Sequence, residues 1–219
     1  MKKLSIFLLI IIGATLSSSA QNFRINGYTN YVFDDAVDSY YSNSAYFNGT
    51  IKGGFQWGAG VEYMLPTQQQ KSYGIELSYL HQDTNAPTDY VSDITGQIRH
   101  ADFDMKLDFI MLGANGYMKV NPKVEPYFGL AAGVGIFNVD NPVSGTGTNA
   151  TKFSWALKGG ANIYATPKVA IKVQAALLSS VQAVGGSLYF GTGGAGAGAS
   201  GYSSMLQFIL GGGLTFNFE

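Results

Sequence analysis

The chain has 219 residues and a formal net charge of −1, with 12% charged side chains, 14% aromatic side chains and 29 glycines. Without a basic surplus it lacks the electrostatic attraction on which nucleic-acid binding depends. The absence of cysteine excludes disulfides, a lipoprotein cysteine, cysteine-ligated metals and thiol catalysis. So few charges are unusual for a soluble domain.

The first 20 residues have the three parts of a secretory signal peptide. Two lysines precede an apolar run over residues 4–16, and small residues then lead to Ala20. We therefore expect a signal peptide over 1–20 with cleavage after Ala20; an uncleaved amino-terminal anchor is the alternative. The mature chain, 21–219, has the length of one domain and keeps 11 basic against 14 acidic side chains.

Eight segments of the mature chain alternate apolar and polar side chains at a period of two, which predicts β-strands with one apolar face. Beyond the signal peptide no apolar run approaches the roughly 18 residues that a membrane-spanning helix needs. A closed β-barrel is the other architecture that satisfies its backbone in lipid, and about ten residues suffice for a tilted strand to cross a bilayer. The predicted segments are 22–33, 53–65, 73–81, 101–120, 127–137, 153–163, 169–177 and 204–218.

The connections between these segments fall into two alternating classes. Short connections that contain proline lie at 66–71, 121–126 and 166–168, and long polar or glycine-rich ones lie at 35–52, 83–101, 138–152 and 179–203. This alternation is the plan of an outer-membrane barrel, with short periplasmic turns and long external loops. A ring of aromatic residues beside the short turns predicts an interfacial girdle: Phe23, Tyr63, Tyr73, Tyr117, Tyr127, Phe128, Tyr164, Phe216 and Phe218.

The fourth segment begins with "ADFDMKLDFIML" at residues 101–112. By itself the alternation fits a soluble lipocalin-like barrel, with its apolar face inside, or a membrane barrel, with its apolar face in lipid. The sorted connections and the low charge favour the membrane barrel. On that basis one set of side chains is predicted to face lipid: Phe103, Met105, Leu107, Phe109 and Met111.

Charged side chains on the opposite faces are predicted to line the barrel interior. An eight-stranded barrel is filled by side chains, and charges inside it must pair or keep water. We interpret this set as a structural polar network, with a polar gate or ion path as the alternative. Its predicted members are Arg24, Glu62, Glu76, Asp104, Lys106, Asp108, Lys158 and Lys172.

Three stretches carry a resemblance to a known family: "EPYFGLAAGVGIF" (125–137), "LKGGANIY" (157–164) and "LGGGLTFNF" (210–218). The chain resembles the small eight-stranded outer-membrane β-barrel proteins, such as the opacity proteins and the membrane domain of outer membrane protein A. The resemblance implies an all-β, antiparallel, up-and-down transmembrane barrel in the outer membrane of a Gram-negative bacterium. Phe216 and Phe218 resemble the carboxy-terminal signal read by the barrel-assembly machinery, although Glu219 extends one residue past it.

The sequence predicts no catalytic, cofactor-binding or metal-ligating set. His81 and His100 flank the second long connection near several aspartates, but no positioned nucleophile accompanies them. The glycine tract at 191–201 lacks the Lys-Ser/Thr ending of a phosphate loop. We expect a non-enzymatic envelope protein that displays its external loops and contacts outer-membrane lipids and lipopolysaccharide. The alternatives are a narrow channel for small or apolar solutes, similar to outer membrane protein W, and a disfavoured lipid-modifying enzyme.

Overall fold

A computed structural model describes residues 22–40, 46–65, 71–91, 97–142, 145–181, 187–191, 194–198 and 205–218. The predicted signal peptide and part of the glycine tract lie outside these residues. Within them no helix is long and apolar enough to cross a membrane. The described residues form twelve strands: β1 (Phe23–Val32), β2 (Asp35–Tyr40), β3 (Tyr46–Ile51), β4 (Gly54–Met64), β5 (Lys71–Val91), β6 (Ile98–Met118), β7 (Val124–Asn141), β8 (Thr146–Thr166), β9 (Val169–Val181), β10 (Ser187–Gly191), β11 (Gly194–Gly198) and β12 (Met205–Phe218).

Eight of these strands close into an antiparallel barrel. The order around the ring is β1, β4, β5, β6, β7, β8, β9 and β12, and β12 pairs back onto β1. The closing seam runs from Phe23 opposite Phe218 to Val32 opposite Ile209. The predicted eight-stranded up-and-down barrel is confirmed. Closure gives each strand of the ring two neighbours, so its backbone groups are satisfied without water.

The long connections contain much more strand than the sequence predicted. β5 and β6 each have 21 residues and pair from Lys71 opposite Met118 to Val91 opposite Ile98. The β2–β3 and β10–β11 hairpins occupy parts of the first and last connections. A strand of this length extends about 70 Å, whereas the hydrocarbon core is about 30 Å thick. The barrel wall therefore continues well beyond a bilayer at the end opposite the short turns.

Local side-chain chemistry explains two of the short turns. The Asn121 side-chain oxygen accepts hydrogen bonds from the backbone N–H groups of Lys123 and Val124 at 2.8 and 2.9 Å. The Thr166 hydroxyl accepts one from the N–H of Val169 at 3.1 Å. Such side-chain mimics of backbone turns allow a tight reversal. We call this end of the barrel the lower end, and the opposite end the upper end.

The outer surface changes character along the barrel. Its lower part is an apolar band in which large side chains are exposed, for example Leu112 at 59% and Leu130 at 56%. Above the band, β5, β6 and β7 present a polar outer wall that includes Asp83, Lys106 and Asp140. An apolar belt of strand residues is the surface that a barrel presents to lipid. The outer wall has the composition of a surface in water.

The interior is divided into two layers of opposite polarity. The lower layer consists of buried polar side chains around Glu62 and Glu76, both 0% exposed. The upper layer is a packed apolar core, in which Phe109 and Phe137 meet edge to face at 5.9 Å. Its buried members are Val32, Ile51, Ala86, Ala101, Phe103, Met105, Leu107, Phe109, Met111, Phe137, Val139, Leu178, Met205 and Ile209.

The predicted orientation of β6 is wrong. The five side chains that were expected to face lipid are 1% exposed or less and form one side of the upper layer. The neighbouring Asp104 and Lys106 are exposed on the outer wall. In this part of β6 the outward side chains meet water and the inward ones meet a core. The outward apolar side chains of β6 lie at lower positions of the same strand, such as Ile110 and Leu112.

Candidate functional site in the barrel interior

The lower layer is centred on two carboxylates that face each other across neighbouring strands. Glu62 on β4 and Glu76 on β5 are directly paired in the sheet. The Tyr117 hydroxyl lies 2.7 Å from both oxygens of Glu62, and the Asn115 amide nitrogen donates to the same carboxylate at 2.7 Å. These donors satisfy a charge that burial would otherwise make costly.

Glu76 receives hydrogen bonds from three different strands. The Asn26 amide nitrogen donates to it at 2.8 Å and that of Asn115 at 3.2 Å. The Tyr28 hydroxyl also donates to Glu76, and the Lys158 ammonium forms an ion pair with it. Because β1, β6 and β8 all contribute, this single carboxylate ties together distant parts of the ring.

Glycines on the inward faces make room for this network. A Cβ atom at Gly74 would lie 2.2 Å from a Glu62 carboxylate oxygen, and one at Gly129 would lie 2.1 Å from the Asn115 side-chain oxygen. Both distances are far below van der Waals contact. The glycines are therefore part of the polar layer, since a larger residue at either position would displace a member of it.

A second ionic cluster lies nearer the lower end. The Arg24 guanidinium donates to both oxygens of Glu125, at 2.9 and 3.1 Å. Asn162 and Tyr164 donate to the same carboxylate at 3.0 and 2.9 Å. The guanidinium carbon also lies 4.7 Å from the centroid of the Tyr117 ring, which connects this cluster to Glu62. A bidentate Arg–carboxylate pair fixes both side chains.

The structure places five of the eight predicted interior residues inside the barrel. Arg24, Glu62, Glu76 and Lys158 belong to the two clusters, and the Lys172 ammonium lies 4.3 Å from the centroid of the Tyr127 ring. The other three predictions are wrong in location, because their strand faces the other way: Asp104, Lys106 and Asp108 lie on the outer wall.

Several members of the network were not predicted. Glu125 falls in a stretch read as a turn, although its spacing from Tyr127 and Gly129 places all three on the inward face of β7. Tyr117 and Tyr127 were assigned to the aromatic girdle but are 2% and 6% exposed inside the barrel. Parity along β7 identifies Glu125 and Tyr127 as inward, whereas Tyr117 shares its face of β6 with Phe103 and Met111 and is placed inside only when the orientation of β6 is known.

The two layers together close the barrel interior. A cavity of about 40 Å³ remains between them, beside Tyr28, Lys158 and Met111, which is room for a few water molecules. Gln56, Gln82 and Gln207 are fully buried at or above this level, and each has at least one side-chain amide atom without a hydrogen-bond partner. Among the described residues, the buried apolar side chains of the upper layer pack above the cavity.

The two histidines face outward. His81 lies at the upper edge of the apolar band, with its ring centroid 5.4 Å from that of Trp57, and His100 lies higher on the outer wall. His81 Nδ1 is 2.7 Å from Asp108 and its Nε2 is 3.3 Å from Asp83. The hydrogen bond with Asp108, with a smaller contribution from Asp83, raises the pKa of His81 above 6.5 although burial opposes it. Burial works to raise the pKa of Asp108, but hydrogen bonds from Tyr79 and His81 outweigh it and lower that pKa below 3.8. His100 pairs with Asp89 at 2.8 Å.

Neither histidine pair has the geometry of a nucleophilic site among the described residues. The hydroxyl pair of Ser154 and Ser180, 2.6 Å apart, lies inside the barrel, away from both histidines. Within the same residues, no group of three or more acidic or histidine side chains is arranged to hold a metal ion. His81 and His100 each contact an aspartate at hydrogen-bond distance on the outer surface.

The predicted carboxy-terminal assembly signal lies at the lower rim of the outer surface. Phe216 and Phe218 are 39% and 45% exposed on β12. At the same rim Phe23 packs against Tyr63 with ring centroids 5.2 Å apart. The girdle thus exists on the outer surface, without the three tyrosines that point inward: Tyr117, Tyr127 and Tyr164. The role of the two phenylalanines in assembly stays a prediction.

Comparison with known proteins supports the fold. No protein-family model matches the sequence, and no curated protein matches it significantly. Among solved structures, neisserial surface protein A aligns with a TM-score of 0.57 at 14% identity, over 90% of this chain and 97% of that one. The outer-membrane protease OmpT of Escherichia coli aligns with a TM-score of 0.51 at 10% identity, over 91% and 98%. This chain therefore has the fold of the small outer-membrane β-barrel proteins, here with eight strands in the ring.

Proposed function

We propose that the protein is a non-enzymatic integral outer-membrane barrel, whose closed interior makes it a rigid anchor for the outer wall. The observation that carries the proposal is the two-layer interior, with ion pairs below and a packed apolar core above. A filled barrel resists deformation, and strands that continue past the apolar band carry that rigidity outward.

The orientation of the barrel follows from the proposal. The short turns face the periplasm, and the outer wall and the upper hairpins lie outside the cell. Outer-membrane lipids and lipopolysaccharide then contact the apolar band and its upper rim. Insertion through the barrel-assembly machinery would use the exposed Phe216 and Phe218.

A narrow channel is the second candidate. The cavity beside Tyr28 and Lys158, together with the unpartnered amide atoms of Gln56, Gln82 and Gln207, marks a polar path part of the way through the upper layer. For solutes to pass, the apolar side chains around that path must move. The channel and the anchor therefore differ in whether the upper layer opens.

Single-channel recording on the mature chain refolded into planar bilayers tests the proposal, with liposome swelling as a second measure of flux. We expect no conductance and no swelling from the wild type. The triple variant Phe109→Ala, Met111→Ala, Phe137→Ala removes the centre of the upper layer and is expected to conduct. It is the positive control, because its conductance shows that the assay detects an open barrel inserted in the bilayer. Steady conductance by the wild type would overturn the anchor in favour of the channel.

A further inference from the structure

The exposed charges of the barrel are sorted by height. Among the described residues, the lower end carries exposed lysines and no exposed acidic side chain, whereas aspartates outnumber lysines and arginines on the outside of the upper end. Glu219 follows Phe218 outside the described residues, and even with it the lower end keeps a positive surplus. We call the lysines of the lower end the basic rim: Lys71, Lys119, Lys123 and Lys168.

The basic rim borders the apolar band. Lys71 lies directly opposite Met118 in the sheet, and Tyr73 faces outward two residues further along β5. Met118 is 49% exposed and Tyr73 55%, and Lys119 follows Met118 in the chain. The lysines therefore stand where an outward apolar stripe ends, which at a membrane is the level of the lipid headgroups. The long stem of a lysine allows its ammonium to reach that level while its methylenes contact apolar surface.

The backbone of the rim is fixed to neighbouring strands of the ring. The carbonyl oxygen of Lys123 accepts a hydrogen bond from the backbone N–H of Tyr164, and that of Lys168 accepts one from the N–H of Asn217, both at 2.8 Å. Lys71 belongs to the ladder between β5 and β6. The charged ends of the four lysines are mobile, but their points of attachment hold the charges together at one end of the barrel.

The positive charge of the rim is not neutralised within the described part of the chain. The ion pairs of lysine and arginine there involve Arg24, Lys52 and Lys158. Glu125, two residues from Lys123, is buried and already paired with Arg24. An anionic group that approaches the lower end therefore meets several cations and no exposed carboxylate of the described residues.

We propose that the basic rim binds the headgroups of anionic phospholipids, with a phosphate held between Lys71 and Lys119 and the acyl chains lying against the apolar band. The charge surplus selects an anionic headgroup. Continuity with the band selects a lipid over a soluble anion, because a lipid offers a phosphate and an apolar chain at adjacent heights. This inference deepens the proposed function and rests on it for one point, that the leaflet around the rim is the periplasmic one.

Paramagnetic relaxation NMR of the mature chain refolded into phosphatidylcholine nanodiscs tests the proposal. The probe is a trace of phosphatidylglycerol with a nitroxide near its headgroup, and phosphatidylcholine with the same label is the control lipid. We expect the anionic lipid to relax the amide signals of Lys71, Met118 and Lys119 about fivefold more than the control lipid, which is the preference that one lysine gives an anionic headgroup. At Tyr79, near the upper edge of the band, we expect no such preference.

Salt and a matched pair of double variants assign the preference to the rim. Screening at high salt is expected to remove it. Lys71→Gln with Lys119→Gln is expected to lower the preference at Met118 to below about twofold. Lys52→Gln with Lys106→Gln removes the same charge from the upper end and is expected to leave the preference unchanged. None of these four lysines is buried, so both double variants are expected to refold.

Two results would overturn the proposal. One is equal relaxation by the two labelled lipids at the rim, and the other is a preference that survives the loss of Lys71 and Lys119. If equal relaxation is accompanied by cosedimentation of the detergent-solubilised protein with isolated peptidoglycan, and the lower double variant loses that cosedimentation, the rim binds an anionic wall polymer instead. Each of these results leaves the anchor proposal standing, since that proposal depends on conductance.

Discussion

At the scale of single residues, donors from three strands meet at the Glu76 carboxylate. Lys158 supplies the positive charge that pairs with this carboxylate. Both groups are largely withdrawn from water, since the Glu76 side chain is 0% exposed and that of Lys158 is 11% exposed. Each member of such a pair offsets the free-energy cost of burying the other, because removing one member leaves the other charged and buried. The lower layer therefore tolerates the loss of a pair better than the loss of half of it.

Lys158→Met tests this balance. We expect it to lower the free energy of unfolding by about 3–5 kcal/mol, and we expect the double variant Glu76→Gln, Lys158→Met to recover a large part of that loss. Urea unfolding in lipid vesicles, followed by the fluorescence of Trp57 and Trp155, measures both. Lys106→Met on the outer wall is the control, with an expected change below about 1 kcal/mol. Equal losses in the single and double variants would contradict the argument.

Gly129 tests the packing of the same layer. The added methyl of Gly129→Ala would lie 2.1 Å from the Asn115 oxygen and 3.1 Å from a Lys158 side-chain carbon. We expect a loss of about 1–3 kcal/mol in the same unfolding measurement, because Asn115 must leave its contacts with the two carboxylates. Gly159→Ala is the matched control, since its methyl would come no nearer than 3.8 Å to its neighbours. An equal loss of stability in Gly159→Ala would indicate that the loss comes from replacing a strand glycine by alanine and not from the contact with Asn115.

His81 gives the outer wall a pH dependence. Its folded pKa lies above 6.5 and that of Asp108 below 3.8, so the pair contributes most between those values. The histidine contribution is complete below pH 6.5 and is lost as the pH rises through the folded pKa of His81. We expect His81→Gln to destabilise the barrel more at about pH 5 than at about pH 9. A difference between wild type and variant that is equal at both pH values would exclude this role.

At the scale of elements, β6 shows where sequence patterns are sufficient and where they are not. For the other seven ring strands the apolar side chains face outward in the band, as predicted. In β6 two apolar stripes lie on opposite faces, one inward in the upper layer and one outward in the band. They overlap at residues 109–112, "FIML", where four apolar side chains follow one another. This interruption of the alternation is the signal that distinguishes the two stripes.

Cysteine labelling tests the orientation of β6 directly, because the chain contains no native cysteine. We expect Lys106→Cys to react with a membrane-impermeant maleimide on intact cells, because Lys106 lies on the outer wall. We expect Leu107→Cys, one residue further along, to stay protected in the upper layer. Labelling after denaturation shows that both variants are present. Faster reaction at Leu107→Cys would indicate that Leu107 faces outward, as the sequence pattern predicts for β6.

Leu112→Arg examines the lower part of the same strand. Leu112 is 59% exposed in the apolar band, where a cation facing lipid costs about 2–4 kcal/mol at the midplane. We expect this variant to accumulate in an unassembled form, as read from fractionation of cell envelopes. Lys106→Arg on the outer wall is the control and is expected to assemble. Normal assembly of Leu112→Arg would place the bilayer elsewhere on the barrel.

At the scale of the whole molecule, sequence patterns were sufficient for the ring but not for its contents. Alternation and sorted connections predict eight strands, since each depends on local side-chain order alone. The upper layer depends on how far the strands extend beyond the apolar band. That length could not be predicted, because the polar stretches that form these extensions have the composition of loops. Buried contacts such as Arg24–Glu125 join residues far apart in the chain, so their pairing depends on the shear of the barrel.

The seam between β1 and β12 has a consequence for biogenesis. It joins the first and last strands of the ring, from Phe23 opposite Phe218 onward. One edge of β1, which is synthesised first, therefore stays unpaired until β12 has been made. A chain interrupted before β12 keeps two open edges, which favour aggregation and expose it to proteolysis. The ring can therefore close only after β12 is present to pair with β1.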